Sequence, residues 1–121
     1  MLAGDKRRRG QDIEVLTAQW LTARGLSEVA RNQHARGGEI DLIMRDGETL
    51  VFVEVRYRAD TRHGTPLETV TATKQRRLIK AARFYLAHNR LSCPCRFDVV
   101  GVTGPLSALE FSWIESAFDA F

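Results

Sequence analysis

Apolar residues recur along the chain first at helical spacing and then with the alternation of strands. From Gln11 to Arg24, Ile13, Leu16 and Trp20 return every three or four positions, joined by Thr17, Ala18 and Leu21, and Gly25 follows as a stop. This predicts an amphipathic helix, with the basic run Lys6–Arg9 leading into it. Glu14 heads the row of Thr17, Ala18 and Leu21 at the edge of the buried face, a position that spacing alone also allows for an exposed helix glutamate. Glu28–Gln33 has the pattern of a short strand, and His34–Gly38 that of a loop broken at Gly37-Gly38.

Two alternating runs come next, Glu39–Met44 and Leu50–Arg56, on either side of Asp46-Gly47. That arrangement predicts an antiparallel hairpin. In the first run Ile40, Leu42 and Met44 share a face, leaving Glu39, Asp41 and Ile43 on the other. In the second, Val51, Val53 and Val55 lie opposite Leu50, Phe52, Glu54 and Arg56. An Asp-Gly turn pairs Arg45 with Glu48, hence Asp41 with Phe52. Asp41 and Glu54 then become diagonal neighbours about 7–8 Å apart at the backbone. Two carboxylates and a cation thus meet on an apolar sheet surface. Buried charge is costly unless it is paired or holds a metal. Spacing leaves both readings open, a cross-strand ion pair with Arg56 or a cation site.

After the hairpin, Ala59–Pro66 is polar and reads as a loop. A basic helix is expected from about Thr71 to His88, with Leu78, Ile79, Ala82, Tyr85 and Leu86 as its apolar face and Lys74, Arg76, Arg77, Lys80 and Arg83 around it. Gln75 extends the apolar row by one turn, so it is expected to point toward the sheet. Arg96–Val102 and Leu109–Ile114 read as strands separated by Gly104-Pro105, and Glu115–Phe121 as a short amphipathic tail packing Phe118 on the core. The order is helix, three strands, helix, two strands. It predicts a single α/β domain over 1–121, a mixed sheet with helices against it.

Composition narrows the class. The 121 residues suffice for one domain and one core. No apolar run approaches the ~20 residues of a membrane span, and the N-terminus lacks a signal peptide's hydrophobic segment, so a cytoplasmic location without membrane contact is expected. A net charge of +3 fits a polyanionic partner without demanding one. Cys93 and Cys95, one residue apart, have poor zinc spacing and suit a reducing compartment. His34, His63 and His88 show no ligand spacing.

Asp41 and, thirteen positions on, Glu54-Val55-Arg56 on the adjoining strand resemble the active-site signature of the PD-(D/E)xK nuclease superfamily. Gly-Gly-Glu-Ile-Asp-Leu-Ile, Leu-Val-Phe-Val-Glu-Val-Arg, Lys74-Gln75 and Arg96–Val100 resemble more closely the YraN family of small bacterial endonuclease-like proteins. The likeness runs from about Gly10 to the C-terminus and is most specific in the hairpin. It implies a restriction-endonuclease-like three-layer sandwich with a mixed sheet of about five strands flanked by helices. It also implies a divalent cofactor, Mg²⁺ or Mn²⁺, held by Asp41 and Glu54 with the Val55 carbonyl. Such an ion, with open water positions, activates water and neutralises phosphate charge. Glu14 matches the superfamily's helix carboxylate and Gln75 a helix residue that supports the site. Arg56 stands where the superfamily has a lysine; it keeps the charge but not the ammonium's reach or readiness to lose a proton. Ile13 and Thr17 stand where the family has glycine and alanine. DNA, branched DNA included, is the expected partner, with phosphate contacts from Arg36, Arg58, Lys74 and Arg77, and a homodimer is compatible with the sequence. The alternatives are a binding module without hydrolysis and a protein-interaction domain whose basic face meets an acidic partner. The basic helix also reads as a solvated face.

Overall fold

A computed structural model of the chain describes residues 3–58 and 65–119, with side chains from residue 9 onward. Most of the loop expected over Ala59–Pro66 lies outside them, as do the last two residues of the expected tail. Helix α1 (Ala3–Thr22) includes the basic run, because polar residues prolong a helix without marking its apolar face. Ile13, Ala18 and Leu21 are buried, as is Thr17, whose Oγ1 donates to the Ile13 carbonyl at 2.7 Å. The helix ends as expected. Gly25 takes φ +104°, and the N–H of Leu26 reaches back to the Leu21 carbonyl at 3.2 Å.

Five strands follow in one sheet: β1 (Ser27–Ala35), β2 (Gly38–Asp46), β3 (Thr49–Arg58), β4 (Cys95–Thr103) and β5 (Glu110–Phe118), ordered as in the sequence. Only β3 and β4 run parallel. Parallel neighbours need a crossover, which α2 (Ala72–His88) supplies after a 3₁₀ turn at Leu67–Thr69. The result is the expected α/β sandwich in three layers. On one face α1 packs on Leu42, Met44, Val51, Val53, Val100 and Val102. On the other, Leu78, Ala81 and Ala82 of α2 pack on Ile40, Ile43, Leu50, Phe52, Phe97 and Val99. Each such large side chain contributes roughly 1.5–3 kcal/mol on burial. Among the described residues no helix is long and apolar enough to cross a membrane.

The structure differs from the sequence reading in local detail. β1 continues through His34 and Ala35, so the expected loop shrinks to a turn at Arg36-Gly37. The expected tail is strand as far as Phe118, which does stack on Phe97 at 4.9 Å. The hairpin turns at Gly47-Glu48, with Gly47 at φ +60°, and Asp46 pairs with Thr49. Asp46 belongs to the strand because its carboxylate accepts from Arg96 Nη1 at 2.8 Å across the sheet. The register is therefore two residues from the expected one, an even shift that keeps every side chain of the hairpin on its face. Ile40 is the exception. It joins the α2-side cluster with Ile43, not Leu42 and Met44 on the α1 side. The change of side falls at Asp41.

Candidate active site

Strands β2 and β3 pair from Asp46↔Thr49 as far as Leu42↔Val53 and then part. Beyond that point β2 keeps to β1, down to Ala35↔Gly38, and β3 keeps to β4, out to Arg58↔Thr103. A fork opens between them, and one step past its root stand Asp41 and Glu54. The Val55 N–H has left the ladder and donates to Asp41 Oδ2 at 2.9 Å, so the carboxylate replaces a strand partner. The fork forms one wall of a cleft of about 670 Å³ lined by Asp41, Glu54, Val55, Arg56, Tyr57 and Arg58, with Arg9, Gly10, Ile13 and Glu14 of α1 across from them.

Three carboxyls converge here. Asp41 is hydrogen-bonded to both Glu14 and Glu54, and each of these contacts needs a proton between two carboxyl groups. Burial, followed by the charge of Asp41, pushes Glu14 and Glu54 each up to about 8. Burial raises Asp41 too, opposed by the Val55 N–H and by the hydrogen bonds from its neighbours. The shared hydrogen bonds raise both glutamates and lower Asp41, which makes the glutamates the donors and Asp41 the acceptor. Glu54 is only 4% exposed, and its Oε2 meets no N–H or hydroxyl donor. Lys74 Nζ and Arg56 Nη1 approach Glu54 Oε1 at 3.8 and 3.6 Å. Both cations favour its ionised form without overcoming burial.

The donor set suits a hard divalent cation. Two oxygen-bearing side chains that share protons are a pair into which such an ion fits, releasing those protons, and Mg²⁺ is characteristically held by one or two carboxylates plus water. Among the described residues no group of three or more His, Cys, Asp or Glu side chains is placed to hold a metal ion. Asp41 and Glu54 are thus the pair to consider, with the Val55 carbonyl beside them.

The other residues singled out by sequence are placed unevenly. Glu14 reaches Asp41 even with Ile13 and Thr17 beside it, because both of those side chains turn into the core. Arg58 lines the cleft and Lys74 stands against Glu54. Gln75 is turned away: its Nε2 donates to the Val70 carbonyl at 3.1 Å, bracing the start of α2. Arg36 sits in the exposed β1–β2 turn, outside the cleft lining. Arg77 is exposed on α2, its Cβ 3.8 Å from where a side chain on Gly38 would begin.

Sequence reasoning missed Arg9, Asn32 and Thr69. Arg9 lines the cleft from α1. Asn32 lies between the paired couples Arg31↔Leu42 and Gln33↔Ile40, hence across from Asp41, and its side chain hydrogen-bonds Glu14. It does so at φ +50°, a left-handed conformation that asparagine tolerates better than most residues. Asparagine within a strand pattern was the available signal. Thr69 holds Arg56, accepting from Nε at 2.9 Å on its hydroxyl and from Nη2 at 2.7 Å on its carbonyl.

Comparison with known proteins adds a relationship. The profile of the uncharacterised protein family UPF0102 matches residues 13–102, a span containing Glu14, Asp41, Glu54, Arg56, Lys74 and Gln75. The chain is 69% identical over 117 residues to a UPF0102 protein of Chromohalobacter salexigens, covering 97% of this chain and 95% of that one. It is 52% identical over 113 residues to a UPF0102 protein of Aeromonas hydrophila, covering 91% and 84%. It is also 47% identical over 116 residues to the UPF0102 protein YraN of Escherichia fergusonii, covering 93% and 86%.

Proposed function

Because the chain belongs to the uncharacterised protein family UPF0102, its chemistry has to be read from the site, and we propose that it is a divalent-metal-dependent nuclease acting on DNA phosphodiesters. The observation that carries this is the fork: Asp41 and Glu54 face each other at its root, share a proton, and leave Glu54 Oε2 buried without a donor. A structural ion pair does not call for that arrangement. Burying carboxyls together is costly, and a cation between them removes the cost.

In this reading Asp41, Glu54 and the Val55 carbonyl hold Mg²⁺ or Mn²⁺, which supplies a nucleophilic water and charge neutralisation for the phosphate. Glu14, braced by Asn32, fixes the orientation of Asp41. Arg9 and Arg58 on the cleft wall suit contacts with the flanking phosphates. Hydrolysis forms a bond from the water oxygen to phosphorus, breaks the bond to the leaving sugar oxygen, and passes a water proton to that oxygen. Free thiols at Cys93 and Cys95 suit the reducing cytoplasm.

The test is a time course on labelled single-stranded, nicked and branched DNA in Mn²⁺, with wild type and Asp41→Asn. Cutting by wild type that Asp41→Asn abolishes is the expected result; cutting by neither removes the nuclease reading. One observation favours a second reading, a binding module on the same fold. Arg56, in the place of the signature's lysine, is tied to Thr69 and is not free to serve a substrate.

A further inference from the structure

Arg56 is held at its far end by the scaffold. Nε and Nη2 both donate to Thr69, and the Thr69 hydroxyl itself donates to the Pro66 carbonyl at 2.6 Å. Pro66 in turn packs against Gly101, the β4 partner of Arg56, where an added Cβ would come within 2.1 Å of Pro66 Cγ. Arg56, Thr69, Pro66 and Gly101 therefore form one brace that seats the 3₁₀ turn beside the site. Only Nη1 is left facing Glu54, at 3.6 Å, beyond hydrogen-bonding range.

Lys74 is built differently. It is the third residue of α2 after the cap Thr71, whose hydroxyl accepts from the Lys74 N–H at 3.2 Å. Its Nζ lies 3.8 Å from Glu54 Oε1, and its side chain is 38% exposed, which keeps the ammonium in reach of solvent beside that carboxyl. Its charge acts on both Asp41 and Glu54, and it weighs on Glu54 more than Arg56 does. The position also works against the helix. The first turn of α2 holds no acidic residue. Helix N-termini favour anions, and a glutamate at the third position would complete a capping box. A cation there adds to the positive end of the helix dipole, an arrangement suited to an anion arriving at this corner.

Resting on the nuclease reading above, we propose that Lys74, and not Arg56, is the cation that contacts the reacting phosphate. Lys74 is a catalytic residue carried on α2, its compact ammonium donating to a non-bridging phosphate oxygen beside Glu54. Arg56 is a positioning residue that fixes the 3₁₀ turn and hence the start of α2. The signature's charge is thus divided between two residues, one for the scaffold and one for the substrate.

The experiment has two readouts on the full chain. In the first, a 5′-phosphorylated dinucleotide is titrated in Ca²⁺ while the side-chain ¹³Cε signal of Lys74 and the ¹⁵Nε signal of Arg56 are followed by NMR. The Lys74 signal is expected to move and that of Arg56 to stay. Movement of Arg56 alone, or of neither, overturns the proposal. In the second, Mn²⁺-dependent cleavage is measured. Lys74→Met is expected to lower kcat about a hundredfold with a smaller change in KM, as for loss of one transition-state donor, and Lys74→Arg to recover part of it. Arg56→Lys, which loosens the seat of α2, should lower the thermal midpoint and reduce kcat less than Lys74→Met does. A kcat untouched by Lys74→Met but lost in Arg56→Lys overturns the proposal. Should wild type cut no DNA, the nuclease reading fails, and the dinucleotide titration still decides which cation holds the phosphate.

Discussion

Replacing Glu54 by glutamine removes a titrating group from the fork while keeping its shape and its ability to donate to Asp41. In the free protein burial and the Asp41 charge hold the Glu54 carboxyl at about 8, against an ordinary 4.5. The folded state thus retains a proton that the unfolded chain releases. The corresponding stability is complete below the unfolded value and is lost as pH rises through the folded one. At about 1.4 kcal/mol per pH unit, the shift has a ceiling of about 5 kcal/mol, and water reaching the open cleft should reduce it to about 2–3 kcal/mol. Urea denaturation at about pH 5, 7 and 9, with a chelator present, measures it directly. Wild type is expected to lose this stability relative to Glu54→Gln between the lowest and highest pH. Glu14 shifts in the same direction but titrates in both proteins, so the difference isolates Glu54. Parallel stability curves for the two proteins would refute the assignment of a buried, protonated Glu54.

Other perturbations test the supports of the site. Gly101→Ala drives a methyl into Pro66, and overpacking of this kind should cost about 1–3 kcal/mol in denaturation while loosening the Arg56 tie. Asn32→Gly suits φ +50° and removes a hydrogen bond that lowers the Glu14 pKa; carbon-detected NMR titration should find Glu14 titrating higher still, at little cost in stability. Asn32→Ala, strained at that φ, should be less stable than Asn32→Gly by about 1–2 kcal/mol. If Lys74 and Arg77 each neutralise one phosphate, the log–log salt slope of B-DNA binding should flatten by about 1.8 in the Lys74→Ala/Arg77→Ala double variant. An unchanged slope would leave the α2 surface as a solvated face.

The fold was largely legible because its signals were local and periodic: α1 by its stop at Gly25, α2 by its apolar stripe, the hairpin by strict alternation. The hairpin turn was misread by one residue because Asp46 is drawn into the strand by Arg96, fifty positions away, a partner that no local pattern reveals. Asp41 and Glu54 were still placed together, since the resulting register shift is even. What local periodicity could not show is the fork itself. The parting of β2 from β3 depends on each finding another neighbour, and the side change at Ile40 follows from it. Gln75 extends an apolar row on paper, but a free carbonyl at Val70 claims its amide. Thr69 lay in a segment without periodicity, and only the folded chain shows it holding Arg56.

The most direct measurement is a calorimetric titration of Mn²⁺ into the metal-free protein near pH 7, repeated in buffers of different ionisation enthalpy to count released protons. A cation entering between Asp41 and Glu54 must displace the proton they share, so one site is predicted, with release of about one proton per ion, and binding lost in Asp41→Asn. No saturable binding, or binding that leaves the protons in place and survives Asp41→Asn, would contradict the account.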